Sequence, residues 1–294
     1  MEQNLSSVVP ILSGVRQGGI LSPLLFSLFI DSILDVLESS GLGCFINNRC
    51  LNSFLYADDL VLLSPSVHDL QALLTLSSNS FLSLGLEINP LKSCCLRVGS
   101  RHMVKCQDLN VNGSPVAWVK ETKYLGVFFK SSKCLSYNWF SARCSYYRAA
   151  NSIFSSLGAL PPIDVIIKLF KSICFPILTY GIASVSLSNK DIVSFTHAYN
   201  NVFMKLFKSF NVDTISFCQY YCNCLPFAAL YDLLRLNFLC AKFKQDYLQA
   251  SNYLDDCEYA DLYKLCDKYA VSPSCSKQYA KLKVWTFVEA QLGF

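Results

Sequence analysis

The sequence predicts an α+β chain in two parts: an antiparallel sheet with helices up to about residue 132, then a mostly helical region over 133–294. Three observations carry that expectation. Short apolar runs with strand-like alternation, "SFLYADDLVLLS" and "TKYLGVFFK" among them, are confined to the first part. Amphipathic helical spacing, broken by Pro161-Pro162, Pro176 and Pro226, takes over from about residue 137. The charge changes along the same axis. Residues 1–91 carry two bases and eight acids, 92–148 ten bases and two acids, and 149–294 thirteen bases and eleven acids.

The elements follow in order. "SPLLFSLFIDSILDVLESSG" reads as a helix over 23–39, with Ser22 as N-cap, Pro23 as its first residue and Gly41 just past its end. Its apolar residues cover more than one face, which predicts extensive burial, with Phe26, Phe29, Ile30 and Ile33 as core. "SFLYADDLVLLS" is a hairpin with Asp58 and Asp59 at or beside its turn. A second helix runs from Ser66 to Leu84, opened by the capping-box spacing of Ser66 and Asp69 and stopped by Gly85. "LEINP" and "SCCLRVGS" read as short strands around Asn89-Pro90, and Asn112-Gly113 as a tight turn between two more.

Composition narrows the classes. The chain is 52% hydrophobic and 16% charged, with mean hydropathy +0.33, yet no run of 18 apolar residues lacks a charge. The nearest, residues 169–187, holds Lys171 and Pro176 and reads as a buried core segment. The first residues, with an acid and no base before a weak apolar stretch, do not read as a signal peptide. An intracellular protein of nucleus or cytoplasm is expected, neither secreted nor membrane-spanning, its fifteen cysteines free thiols. Cys218, Cys222 and Cys224 lack the second pair or the histidines that a zinc site requires. In the basic segment, cations alternate with Tyr124, Phe128, Phe129, Tyr137, Trp139, Tyr146 and Tyr147, a mixture suited to a nucleic acid or simply to a solvated face.

Asp58 and Asp59 pose the central question, because adjacent carboxylates between apolar runs repel one another and lose hydration. Aspartate favours turns for its own reasons. Alternatively, a rigid hairpin presents hard oxygen ligands to Mg²⁺, which neutralises the repulsion. The order of blocks favours the second reading. "GVRQGGILSP" lies about forty residues upstream of "YADD", and "NPLKS" and "YLG" follow downstream.

In these blocks the sequence resembles the reverse transcriptases of non-LTR, LINE-type retrotransposons, in their palm and thumb parts. The resemblance implies a palm over 1–132 and a helical thumb and C-terminal region over 133–294. It implies that Gln17 and Gly18 contact template base and incoming nucleotide, and that Asp58 ligates metal with Asp59 as its less direct neighbour. Lys92 matches a lysine near the triphosphate, and Tyr124, Leu125 and Gly126 match the primer-grip turn. Each has a plainer reading: an ordinary loop for Gln17 and Gly18, a solvated strand end for Lys92, sheet core for Tyr124 and Leu125. RNA template, DNA primer, dNTP and two Mg²⁺ ions are the implied partners and cofactors. "FKSICFPILTYGIAS" and "LPFAALYDLLRLNFLCAK" extend a more diffuse likeness beyond the palm. The family places a further catalytic aspartate on a strand before "GVRQGG", whereas the thirteen residues before Gly14 hold no Asp and one acid, Glu2. Little polymerisation is therefore expected from these residues unaided. The alternatives are a non-catalytic nucleic-acid-binding remnant and a relic without function.

Overall fold

The structure, a computed structural model, describes residues 14, 18–46, 49–156, 162–249 and 254–294. The chain divides into two compact units, Met1–Tyr137 and Asn138–Phe294.

In the first unit, α1 (Ser22–Ser39) leads to two small antiparallel hairpins. These are β1 (Cys44–Ile46) with β2 (Arg49–Leu51), and β3 (Ser53–Tyr56) with β4 (Asp59–Leu62). Helix α2 (Val67–Ser83) follows, opened by Ser66, whose hydroxyl accepts from the Asp69 N–H at 3.0 Å. Gly85, at φ +73°, turns the chain away at its end. Alternate residues of the second hairpin, Leu55, Leu60 and Leu62, pack with α1 and α2 around Ile30, Ile33, Leu37 and Leu73.

The other side of α2, through Val67, Leu70 and Leu74, covers a second sheet. It is built from β5 (Cys94–Leu96), β6 (Leu109–Val111) and β7 (Ser114–Val119), with β7 central. Asn112 and Gly113 both have positive φ in the turn joining β6 to β7, the signature of a type I′ hairpin. The outer backbone of β6 meets a side chain instead of another strand. Asn110 N–H donates to Gln71 Oε1 and Gln71 Nε2 donates to Asn110 O, both at 2.8 Å. A third sheet holds β8 (Glu121–Tyr124), β9 (Val127–Lys130) and β10 (Ser136–Asn138), with β9 central.

Four sequence expectations need correction. Helix α1 begins at Ser22, and the N-cap position falls to Leu21, which makes no side-chain cap. The helix is also less buried than its composition suggests. Ile30, Ile33 and Leu37 are buried, while Phe29 is 49% exposed and Leu24, Leu25 and Leu28 are more so. The hairpin and α2 cover one stripe, and an apolar pattern cannot state how many partners arrive. "LEINP" forms no strand, because Asn89 draws the chain into a turn. Its side chain accepts from Leu91 N–H at 3.0 Å and its carbonyl from Ser93 N–H at 3.1 Å. Finally, β5 and β7 pair in parallel, against the otherwise antiparallel pattern.

The second unit is helical. It contains α3 (Phe140–Ser156), α4 (Ile163–Leu169), a π-helical turn (Phe170–Cys174) and α5 (Phe175–Thr179). A short 3₁₀ turn precedes α6 (Asn189–Phe207), α7 (Val212–Tyr221), α8 (Phe227–Gln249), α9 (Asp256–Tyr269) and α10 (Lys277–Leu292). The apolar run at 169–187 is core: Phe170, Cys174, Leu178 and Ile182 are buried. Phe195 stacks on Phe227 with ring centroids 5.3 Å apart. Helices α8, α9 and α10 enclose a separate core of Leu236, Leu239, Leu262, Val284 and Val288. Among the described residues no helix is long and apolar enough to cross a membrane.

Candidate metal and nucleotide site

Strand pairing fixes the paired aspartates. Tyr56 lies opposite Asp59, so Ala57 and Asp58 are the two residues of the turn. Ala57 has φ +52° and Asp58 has negative φ, the sign pattern of a type II′ turn, whose first central residue is normally glycine. Both carboxylates are exposed at the tip. The repulsion expected from apolar flanks is thus relieved by solvent, since Leu55, Leu60 and Leu62 pack toward the helices while Phe54 and Tyr56 leave the rest of the hairpin exposed.

The hairpin is anchored at its base by a residue that the sequence analysis did not single out. Asn52, 1% exposed, donates through Nδ2 to Leu37 O at 2.6 Å and Leu42 O at 3.0 Å. Its carbonyl accepts from Leu63 N–H at 2.7 Å, and its Oδ1 from the Ser53 hydroxyl at 3.0 Å. One residue, through its side-chain amide and its backbone carbonyl, therefore ties the end of α1 to the bases of both strands. Gly43 makes room for it. A Cβ there would lie 2.4 Å from Asn52 Cβ and 2.9 Å from Leu63 O, and the residue's φ is +112°. The signal was an asparagine set just ahead of the apolar hairpin run.

The "YLG" block forms a second tight turn. Tyr124 lies opposite Val127, and Leu125 and Gly126 have φ +44° and +84°. A type I′ turn strains a leucine here, and its side chain is 39% exposed. Burial raises the Tyr124 phenol above its ordinary range, and the Asp59 carboxylate adds to the rise. The two turns thus share one electrostatic neighbourhood.

Lys92 is exposed in the Asn89 turn, two residues before β5. That strand neighbours β8 through Cys94 Sγ and Thr122 Oγ1, 3.1 Å apart. Gly18 is exposed at φ +80°, with open space where a Cβ would be, shortly before α1. Gln17 lies outside the described residues. The structure therefore sets Asp58 and Asp59 in one turn, with Asp59 within electrostatic reach of Tyr124, and places Lys92 and Gly18 in separate turns.

The donor set fits a hard divalent cation in part. Mg²⁺ is typically held by one or two carboxylates, with phosphate and water oxygens completing its shell. Asp58 and Asp59 supply the carboxylates, and among the described residues no group of three or more His, Cys, Asp or Glu could hold an ion alone.

Residues 1–129 match the family model of reverse transcriptase (RNA-dependent DNA polymerase). The retrovirus-related Pol polyprotein from type-2 retrotransposable element R2DM of Drosophila melanogaster is 34% identical over 127 residues, 40% of this chain and 12% of that protein. That from a type-1 retrotransposable element R2 of Popillia japonica is 29% identical over 130 residues, 42% of this chain and 22% of that protein. Protein P of a hepatitis B virus genotype C isolate is 38% identical over 87 residues, 29% of this chain and 10% of that protein. The chain thus aligns with less than a quarter of the length of these relatives. Residues 1–129 thus match the reverse transcriptase family and are similar to segments of the Pol polyproteins of R2 retrotransposable elements.

Proposed function

We propose that this chain carries part of the palm and the thumb of an RNA-templated DNA polymerase, with its palm over 1–132 and its thumb and C-terminal region over 133–294. The supporting observation is that residues 1–129 match the reverse transcriptase family model while Asp58 and Asp59 stand exposed at the tip of a hairpin, with Asp59 within electrostatic reach of Tyr124 of the "YLG" turn. In this reading Asp58 holds metal directly and Asp59 does so less directly, both on a hairpin that Asn52 keeps rigid. When held by these carboxylates, Mg²⁺ would supply positive charge for transfer of a dNTP's nucleotidyl group to a primer 3′-hydroxyl, with pyrophosphate as the leaving group. Tyr124, Leu125 and Gly126 hold the primer end. Gln17 and Gly18 lie against template base and incoming nucleotide, and Lys92 donates a proton to pyrophosphate.

Two carboxylates fall short of the family's set, so these residues alone extend primers poorly, because the barrier depends on positioned charge. Paramagnetic Mn²⁺ provides a test independent of turnover. It should broaden the amide resonances of Ala57 to Leu60, and Asp58→Asn should abolish the effect. A fusion to the stretch that precedes the matching segment in the Drosophila relative should extend a DNA primer on RNA and lose that activity with Asp58→Asn. Undiminished extension by the variant would show that Asp58 holds no catalytic metal.

A second reading, binding without chemistry, is favoured by the exposed cations Lys92, Arg101, Lys105, Lys120, Lys123 and Lys133 in the first unit. It predicts primer–template binding that falls steeply with salt and ignores Asp58→Asn. Salt-independent binding would count against it.

A further inference from the structure

The loop between β5 and β6 has no role in the metal and nucleotide site. From Ile88 to Gln107 the chain holds four bases, Lys92, Arg97, Arg101 and Lys105, and no acid. Hydrogen bonds lock the loop at both ends. Gly99 N–H donates to Ser132 O at 2.9 Å, and the Ser131 hydroxyl donates to Arg97 O at 2.7 Å. Two overlapping turns follow, in which His102 N–H donates to Gly99 O at 3.0 Å and Val104 N–H to Arg101 O at 2.9 Å. Arg97 Nη1 closes the return by donating to Val104 O at 2.9 Å and to Cys106 Sγ at 2.8 Å. That guanidinium is spent on the loop itself.

What the loop presents is an apolar tip between cations. Met103 is 78% exposed and Val104 58%, with exposed Arg101 two residues before Met103 and exposed Lys105 two after it. Exposed Lys120 and Lys133 stand at the base. Ser131 N–H donates to Lys120 O at 2.8 Å, and Lys133 follows Ser132, whose carbonyl holds Gly99. None of the ion pairs among the described residues uses any of these four cations, so their charge is open to an anionic ligand. Because the backbone is already pinned, docking the tip costs little ordering entropy.

We propose that the 99–105 loop is a contact surface for duplex nucleic acid, with Arg101, Lys105, Lys120 and Lys133 on phosphates and Met103 entering the minor groove as an apolar wedge. The proposal rests on the binding reading given above and supplies its residues and its mode. Regularly spaced phosphates suit unpaired cations that spring from one knot of backbone. A single strand is held by bases stacking on aromatic platforms, and residues 97–107 contain no Phe, Tyr or Trp. A lipid surface takes up Trp, Phe or Leu along a broad apolar face, whereas this tip offers two small apolar side chains. Apolar side chains flanked by cations are what minor-groove proteins press between base steps, methionine among them.

The test titrates the whole chain with a fluorescein-labelled RNA–DNA duplex across a series of salt concentrations. Arg101→Gln and Lys105→Gln should each lower the slope of log Kd against log salt by about 0.9, and the double variant by about twice that. Met103→Gln should weaken binding about fivefold at every salt with the slope unchanged, and Met103→Leu should restore most of the loss. A duplex carrying 2-aminopurine should brighten as the wedge unstacks it, with the wild type and not with Met103→Gln. Circular dichroism melts check that each variant folds. Salt-dependent duplex binding that ignores all of these variants would overturn the loop's role and leave the binding reading standing. A wild type that binds no duplex would overturn both. Tighter binding to a single strand of the same sequence would overturn the duplex as partner. A loss in Met103→Gln seen only with phosphatidylserine vesicles would assign the tip to a lipid surface instead.

Discussion

Replacing Asn52 by aspartate changes one NH₂ group to oxygen and leaves the shape almost untouched, so it isolates what that amide donates. Two hydrogen bonds are lost, to Leu37 O at 2.6 Å and Leu42 O at 3.0 Å, each with a net worth of about 1 kcal/mol. The new carboxylate faces the same two carbonyl oxygens in a site 1% exposed, which adds an uncompensated buried charge. Together these cost roughly 3–5 kcal/mol, a large share of a stability of about 5–15 kcal/mol. Asn52→Leu is the control. It loses the bonds without adding charge, and Leu37 O keeps the Ser40 N–H and hydroxyl as donors, so its cost is about 2 kcal/mol. Native-state hydrogen exchange at the β3 and β4 amides reads both, with protection falling about tenfold for each 1.4 kcal/mol. The aspartate variant carries a pH signature as well. Burial raises its folded carboxyl above the unfolded value of about 3.9, so the deficit is complete above the folded pKa and shrinks as pH falls toward the unfolded one. Protection within threefold of wild type in Asn52→Asp, or equal losses in the two variants, would refute the anchoring role.

Three further outcomes are expected. Gly43→Ala should destabilise the first unit by about 2–4 kcal/mol, since its Cβ meets Asn52 Cβ and Leu63 O at positive φ, and a depressed urea midpoint would show it. Leu125→Asn should raise stability by roughly 0.5 kcal/mol by placing the preferred Asn-Gly pair in the turn, while weakening primer contacts if the leucine grips as proposed; denaturation and primer-binding titrations separate the two effects. Stability should also fall as pH climbs from about 9 to about 12. Burial first, with neighbouring thiols adding at some sites, holds Cys95, Cys174, Cys222 and Cys266 up to about 11 and Cys240 up to about 12, whereas unfolded thiols ionise near 9.0. These groups favour the folded state while protonated, so a urea midpoint unchanged between pH 8 and 11 would contradict that linkage.

The sequence showed local signals well and partnerships poorly. Helix α2 was legible from Ser66, Asp69 and Gly85 because a cap is a short-range bond between near neighbours. The paired-acid hairpin and the Asn112-Gly113 turn were legible for the same reason. Phe29 was misread as core because helical periodicity records an apolar face without recording whether anything covers it. "LEINP" looked like a strand because propensity gives no account of the Asn89 side chain competing for the backbone. Asn52 and Gly43 were invisible as a pair, since their meaning lies in three carbonyls and an N–H from separate elements. The parallel join of β5 to β7 spans a connection too long for any local rule.

The side chain of Gln71 has a consequence for the protein in concentrated solution. A strand at the margin of a sheet is a template on which a neighbouring molecule can grow, and self-association through such margins leads to insoluble assemblies. By offering one acceptor and one donor to Asn110, the glutamine impersonates the next strand for the length of a single residue and then ends. Incoming chains find the middle residue of the three-residue β6 already occupied. Gln71→Ala should leave the fold in place and show its effect in light scattering on standing, as a protein that keeps its shape and loses its isolation.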